Sequence, residues 1–297
     1  MANSTPTSPK PGLGTERMTE ISLHLGDCLQ GMAKLPDESV DIVVTSPPYN
    51  IGVGYGEYDD NAPRQEYLDW CREWTGQIRR VLKPKGSFFL NVGATPKNPL
   101  FPHQLLLGLT EAVEDSSTAW ILQNTIHWIK SITVDTRDGV QLSAGHFKPI
   151  NSKRFINDCH EYVFHLTKDG DVPVQRRAAG VGVPYQDKSN IERWGHTGGE
   201  DQRCRGNNWF VPYETIANRS KDRPHPATFP VALAERCIRL HGNAEEATVM
   251  DPFLGIGHAG VAAVRAKAKE FLGFEIDAEY LSTAKSVIAD SQGDLFL

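Results

Sequence analysis

Two hydrophobic spacings take turns along this chain. Ile21-Ser22-Leu23-His24-Leu25 alternates apolar and polar, the two-residue period of a half-buried strand. Val40 to Val44, Ser87 to Val92, Thr248 to Met250 and Phe271 to Phe274 are short, nearly unbroken apolar runs, as expected of parallel strands covered on both faces. Between these runs the spacing becomes helical. Tyr67, Trp70, Cys71, Trp74, Ile78, Val81 and Leu82 line one side of a helix predicted over 63–82. Shorter helices are predicted over 29–35, 102–113, 231–240, 258–268 and 278–289. Two further strands, 120–130 and 160–168, are expected to pair antiparallel. Strands that alternate with helices predict an α/β fold with a doubly wound, mainly parallel sheet.

Three stretches break the pattern. Residues 1–18 are rich in Ser, Thr, Pro and Gly and read as a flexible tail without the apolar core of a signal peptide. Asn50 to Asn61 is rich in Gly and Tyr and reads as a lid or a surface loop. From Asp169 to Arg223 glycines, arginines and isolated aromatics mix without period, marking a small irregular insert. The chain thus divides into a tail (1–18), a first half-domain (19–168), the insert (169–223) and a second half-domain (224–297).

Composition narrows the class. The 297 residues carry a net charge of -6, which disfavours unspecific coating of nucleic acid. The charge is uneven, however. Between Lys168 and Pro224 ten positive side chains face eight negative ones. The five cysteines are scattered, with neither zinc-ligand spacing nor an even count, so no metal is expected and a reducing cytoplasm is the simplest compartment. No apolar run reaches the length of a membrane span.

Two strand ends carry candidate chemistry. After Val40–Val44 come Thr45-Ser46-Pro47-Pro48-Tyr49-Asn50. The prolines stop the strand and offer carbonyls without donors. Ser46 and the Pro47 carbonyl suit an exocyclic amine, and Tyr49 suits the face of a flat ring. A plain strand-to-loop turn explains the same residues. The second stretch, Asp251-Pro252-Phe253-Leu254-Gly255-Ile256-Gly257, joins a strand to a helix, and its glycines admit a closely approaching ligand. Glu275 ends the next strand, where an acid takes the two hydroxyls of a ribose. An acid in the loop and no following Lys favour a cationic or amino-acid ligand over a pyrophosphate. Tight helix–strand packing is the alternative.

In this order the two stretches resemble the hallmarks of the S-adenosylmethionine-dependent amino-methyltransferases of DNA, (Asp/Asn/Ser)-Pro-Pro-(Tyr/Phe/Trp) and Asp-Pro-Phe-x-Gly-x-Gly. With the catalytic motif first, the chain looks like the permuted β group over roughly 21–290, apart from the insert. The resemblance implies a seven-stranded, circularly permuted Rossmann-like methyltransferase fold. It gives Ser46, Pro47, Pro48 and Tyr49 to catalysis. It gives Asp251, Pro252, Phe253, Gly255 and Gly257 to the cofactor loop, Glu275 to the ribose, Asp27 to the adenine, and their neighbours Cys28 and Ile276 to the cofactor site. Ser46 also faces the cofactor. His225-Pro226-Ala227-Thr228-Phe229-Pro230 looks like the family's (Lys/His)-Pro-x-x-x-Pro segment, which places His225, Ala227 and Thr228 at the methionine end. Ile256 and His258 depart from the commoner Ser and Thr.

Ser before Pro-Pro implies the N4 amine of a flipped-out cytosine in double-stranded DNA, with N6 of adenine as the alternative. Methylation at the 5-position of cytosine is excluded, because it needs a thiolate and no cysteine follows a proline. Lys148, Arg154, Arg176, Arg177, Arg193, Arg203 and Arg205 are the candidate DNA contacts. The resemblance further allows a homodimer, a cognate restriction endonuclease, and a cytoplasmic setting on the nucleoid of a prokaryote. RNA- or protein-directed methylation and a non-catalytic nucleoside-binding module are the rival classes.

Overall fold

The computed structural model describes residues 17–52, 54, 57–96, 98–111, 119–135, 141–144, 153–154, 156, 158–183, 202–212 and 228–294, with 131–135 and 141–144 as backbone. The strands are β1 (Glu20–Leu25), β2 (Val40–Thr45), β3 (Leu82–Val92), β4 (Ile121–Asp135), β5 (Gln141–Ala144), β6 (His160–Thr167), β7 (Asn208–Pro212), β8 (Thr248–Asp251) and β9 (Glu270–Glu275). The helices are α1 (Cys28–Met32), α2 (Arg64–Val81), α3 (Phe101–Thr110), α4 (Val231–His241), α5 (His258–Arg265) and α6 (Ala278–Asp294). No helix among the described residues is long and apolar enough to cross a membrane.

The main sheet runs β1-β9-β8-β2-β3-β6-β4. Its first five strands are parallel, and β6 lies antiparallel to both β3 and β4. These are the seven strands the resemblance implies. Two more hang from β4, β5 antiparallel and β7 parallel, so nine are joined among the described residues.

Successive residues of one strand serve different cores, as the two-residue period demands. Ile42 and Val44 of β2, with Phe89, Val249 and Phe271, pack against Leu233, Cys237 and Ile238 of α4 and Ala259 and Ala262 of α5. Val43, with Phe88, Leu90, Met250 and Leu272, packs against Met32 of α1, Cys71, Trp74 and Ile78 of α2 and Leu105 of α3. Helices therefore cover both faces, which is why the central strands read as unbroken apolar runs.

The insert does not stand wholly apart from the sheet. Its strand β7 pairs with β4, and Val181, Trp209 and Val211 are buried in the α4–α5 core. Trp209 and Val211 alternate with exposed neighbours, the pattern of a strand covered on one face.

Because β9, β8, β2 and β3 are parallel neighbours, their carboxyl ends, Glu275, Asp251, Thr45 and Val92, open on one edge of the sheet. Open α/β sheets place ligands there.

Candidate active site

The turn after β2 is braced on every side. Thr45 is fully buried and donates its hydroxyl to Asp251 Oδ1 at 2.6 Å, tying the first strand end to the second. Tyr67 of α2 donates its hydroxyl to the Pro48 carbonyl. Asn50 takes a left-handed φ of +55°, and the backbone amides of Asn50 and Ile51 donate to the buried Asp60 carboxylate at 2.7 and 3.0 Å. Ser46 Oγ and the Tyr49 hydroxyl lie 2.9 Å apart, and Tyr49 donates to Glu161 Oε2 at 3.1 Å.

The loop after β8 is held by carboxylates. Asp251 Oδ1 also accepts the Phe253 amide at 3.0 Å. Burial pushes the Asp251 carboxyl up to about 7, against the pull of the Thr45 and Phe253 hydrogen bonds. Glu275 accepts the Gly255 amide at 2.7 Å on one oxygen and the Asp277 amide at 3.0 Å on the other. Burial raises this carboxyl as well. Gly255 and Gly257 take φ of +54° and +92°, a region that penalises other residues.

A cleft of about 1010 Å³, counting its solvent-filled mouth, lies between the two loops. Ten predicted residues line it: Asp27, Cys28, Ser46, Pro48, Thr228, Pro252, Phe253, Gly255, Glu275 and Ile276. Pro47, Tyr49, Asp251 and Gly257 are not among the lining residues; Tyr49 reaches the lining Ser46 through its hydroxyl, and Asp251 and Gly257 shape the loop. His225 and Ala227 lie outside the described residues. Asp27 has a second duty, accepting the Gln30 amide at 3.1 Å as the cap of α1. Burial pushes the Cys28 thiol up to about 12, so it stays protonated and supplies no nucleophile.

Residues without a sequence signal complete the wall. Glu57 and Tyr58 come from the Gly- and Tyr-rich loop, Trp70 from α2, and Asp277 and Tyr280 from the start of α6. Trp70 packs between Tyr58 and Phe253, with ring centroids 5.6 and 5.5 Å away. Its helical spacing alone marks it as core. His258, one of the two departures, bonds its Nδ1 to the Phe229 carbonyl at 2.6 Å and so pins the segment before α4 to the start of α5.

The cavity suits S-adenosylmethionine. Each oxygen of the nearly buried Glu275 carboxylate holds one backbone amide and keeps capacity for one more donor, as two ribose hydroxyls require. Phe253 and Ile276 offer apolar surface to a purine, Ile276 at the rim with 45% exposure. Asp27, Glu57 and Asp277 are lining acids, and no Lys or Arg lines the cavity among the described residues. That balance favours a sulfonium and an ammonium and opposes a pyrophosphate.

The candidate DNA contacts separate. Arg205 donates Nε and Nη2 to the carbonyls of Val181 and Gly182 at 3.0 and 3.2 Å, and is braced inside the fold. Arg154, Arg176, Arg177 and Arg203 are exposed. Lys148 and Arg193 lie outside the described residues.

A strand-end turn and a glycine loop share one cavity at the carboxyl edge of an α/β sheet, the place where such folds bind ligands. A family model described as DNA methylase, covering N6 and N4 enzymes, matches residues 40–286, and the chain belongs to that family. Its members are methyltransferases that use S-adenosylmethionine as methyl donor. Among curated relatives, the type II methyltransferase M.ScaI of Streptomyces caespitosus is 29% identical over 94% of this chain and 84% of its own. The DNA adenine methyltransferase YhdJ of Escherichia coli K12 is 28% identical over 90% of this chain and 81% of its own. Among solved structures, the PvuII DNA methyltransferase (cytosine-N4-specific) shares the fold at a TM-score of 0.63, with 18% identity over 94% of this chain and 93% of its own.

Proposed function

We propose that this DNA methyltransferase acts on the exocyclic N4 amine of cytosine in double-stranded DNA. One observation carries the reading: Ser46 and Pro48 of the strand-end turn line the same cavity as Gly255 and Glu275. The cofactor, when bound, supplies an electrophilic methyl group on a sulfonium sulfur.

The chain's own residues hold and align. Glu275 takes the ribose hydroxyls, Phe253 and Ile276 cover the purine, and Asp27 meets its edge. Thr228 takes the methionine end, a role that the family resemblance also gives to His225 and Ala227. On the substrate side the target base leaves the duplex. Tyr49 stacks on it, a contact worth about 1–3 kcal/mol. Ser46 and the Pro47 carbonyl accept the amine hydrogens and aim the nitrogen lone pair at the methyl. Alignment of this kind supplies about 7–11 kcal/mol of rate acceleration. The exposed Arg154, Arg176, Arg177 and Arg203 are the proposed contacts to phosphates or base edges, and the insert around 169–223 is the proposed target-recognition region.

Ser46 favours cytosine, and the cytosine-N4 specificity in the name of the PvuII enzyme agrees. The adenine specificity in the name of YhdJ favours the second reading, N6 of adenine. A cognate restriction endonuclease is the partner that the type II name of M.ScaI supports. A homodimer and a place on a prokaryotic nucleoid rest on the family resemblance.

The test is to express the chain in a host whose DNA lacks both modified bases, digest the DNA to nucleosides, and separate them by mass spectrometry. N4-methylcytosine is expected. N6-methyladenine alone would hand the case to the second reading. Methyl transfer confined to RNA or protein would overturn both.

A further inference from the structure

Behind Tyr49 stands an ion pair outside the cavity wall. β4 and β6 pair with Trp128 opposite Glu161, so Lys130, two residues on, shares that face. Lys130 Nζ reaches Glu161 Oε1 at 2.5 Å and sits over the Trp128 ring, 5.4 Å from its centroid. The other oxygen of Glu161 accepts the Tyr49 hydroxyl at 3.1 Å. Neither charge is well exposed, with 22% of the Lys130 side chain and 13% of the Glu161 side chain open to solvent. Gly93 keeps the room clear, since a Cβ there would lie 2.9 Å from Glu161 Cγ.

We infer that Glu161 is a positioning residue that fixes Ser46 as a hydrogen-bond acceptor toward the target amine, an inference that rests on the reading given under Proposed function. An ionised carboxylate has no hydrogen to give, so Tyr49 must donate to it. The Asn91 carbonyl, 3.4 Å from the same hydroxyl, is also only an acceptor. With its one hydrogen committed away from Ser46, the Tyr49 oxygen must receive the hydrogen of Ser46 across their 2.9 Å contact. Ser46 then presents lone pairs alone. An exocyclic amine, which carries two hydrogens, is what such a group holds. Lys130, a donor only, holds the other oxygen of Glu161 and keeps the carboxylate turned the right way.

Glu161→Gln keeps the shape and removes the polarity. Lys130 claims the amide oxygen and the amide NH2 donates to the Tyr49 oxygen, so Tyr49 can give its hydrogen to Ser46 or to the more distant Asn91 carbonyl, and Ser46 is no longer held as an acceptor toward the amine. The experiment measures single-turnover methyl transfer to a substrate duplex, with S-adenosylmethionine affinity measured in parallel, for wild type, E161Q, Y49F and the double variant. E161Q should slow transfer about 100-fold, the scale of a misaligned reacting group, with cofactor affinity unchanged. Y49F keeps the ring and loses the hydroxyl, and should lose a similar factor. In the Y49F background E161Q should cost less than about twofold more, because its effect travels through that hydroxyl.

A wild-type rate in E161Q or in Y49F would overturn the inference, and Y49F does so even if E161Q fails to fold. Losses that multiply in the double variant would also overturn it, by showing that Glu161 acts on the fold at large. A wild-type protein that binds cofactor and methylates no DNA would instead bring down the underlying reading, and this inference with it.

Discussion

Asp251→Asn offers a sharp test of how the two strand ends are joined. Asp251 is 1% exposed, and its Oδ1 takes both the Thr45 hydroxyl and the Phe253 amide. Burial is the largest influence on its carboxyl, followed by those two hydrogen bonds, which oppose it, and then by the negative charge of Glu275. The net result lifts it from 3.8 to about 7. Below 3.8 the folded and unfolded chains both hold the proton. As pH rises from there, the unfolded chain gives it up while the folded chain keeps it, so stability falls through the window. Above about 7 both states are ionised and the contribution is flat. At 1.36 kcal/mol per pH unit the full window amounts to about 4 kcal/mol, an order-of-magnitude figure. Asn at 251 does not titrate and still offers an acceptor to Thr45. Urea unfolding of both proteins, followed by fluorescence of the six tryptophans, gives the difference in stability at each pH. That difference should move in favour of D251N by about 2–3 kcal/mol between pH 5 and pH 8. A difference that stays level would refute the reasoning, because it would mean that Asp251 is already ionised in the fold at pH 5.

Other substitutions probe the loops and the basic surface. Gly257→Ala places a Cβ 3.0 Å from the backbone Cα of Ala284 at a φ of +92°. It should cost at least about 1–3 kcal/mol of stability and weaken S-adenosylmethionine binding, both readable in one thermal-shift titration; an unchanged melting temperature would contradict the packing described. Arg205→Ala should lower stability by about 1–3 kcal/mol, since it strips partners from the Val181 and Gly182 carbonyls. Arg176→Ala with Arg203→Ala should instead leave stability within about 0.5 kcal/mol and reduce the salt dependence of DNA binding; the reverse assignment would show that the wrong arginines were placed at the DNA.

What can be read from the sequence depends on how local its cause is. β2, β8 and β9 announce themselves because burial on both faces leaves only apolar residues, and Ser46–Tyr49, Gly255 and Glu275 stand out because each follows such a run. β7 stays hidden: it has five residues, alternates in burial, and gains its stability from pairing with β4, far earlier in the chain. β5 escapes too, although Asp138-Gly139 in the link between it and β4 is a turn signal. Trp70 carries the same helical spacing as buried Trp74, and only the approach of Phe253 and Tyr58 makes it part of the cavity wall. Arg205 looks like the other arginines of the insert until the fold supplies carbonyls for it. The Lys130–Glu161 pair depends on the register between β4 and β6, which no local pattern reveals.

The central claim is that one cavity brings a sulfonium methyl to a DNA amine held at Ser46. The most direct measurement gives the purified protein S-adenosylmethionine with an isotopically labelled methyl group and duplexes of varied sequence, then locates the label among the digested nucleosides. Label on the exocyclic nitrogen of cytosine with wild type, and none with Ser46→Ala despite equal cofactor binding, is the predicted result. Label on a ring carbon, or equal labelling by the Ser46 variant, would contradict the account.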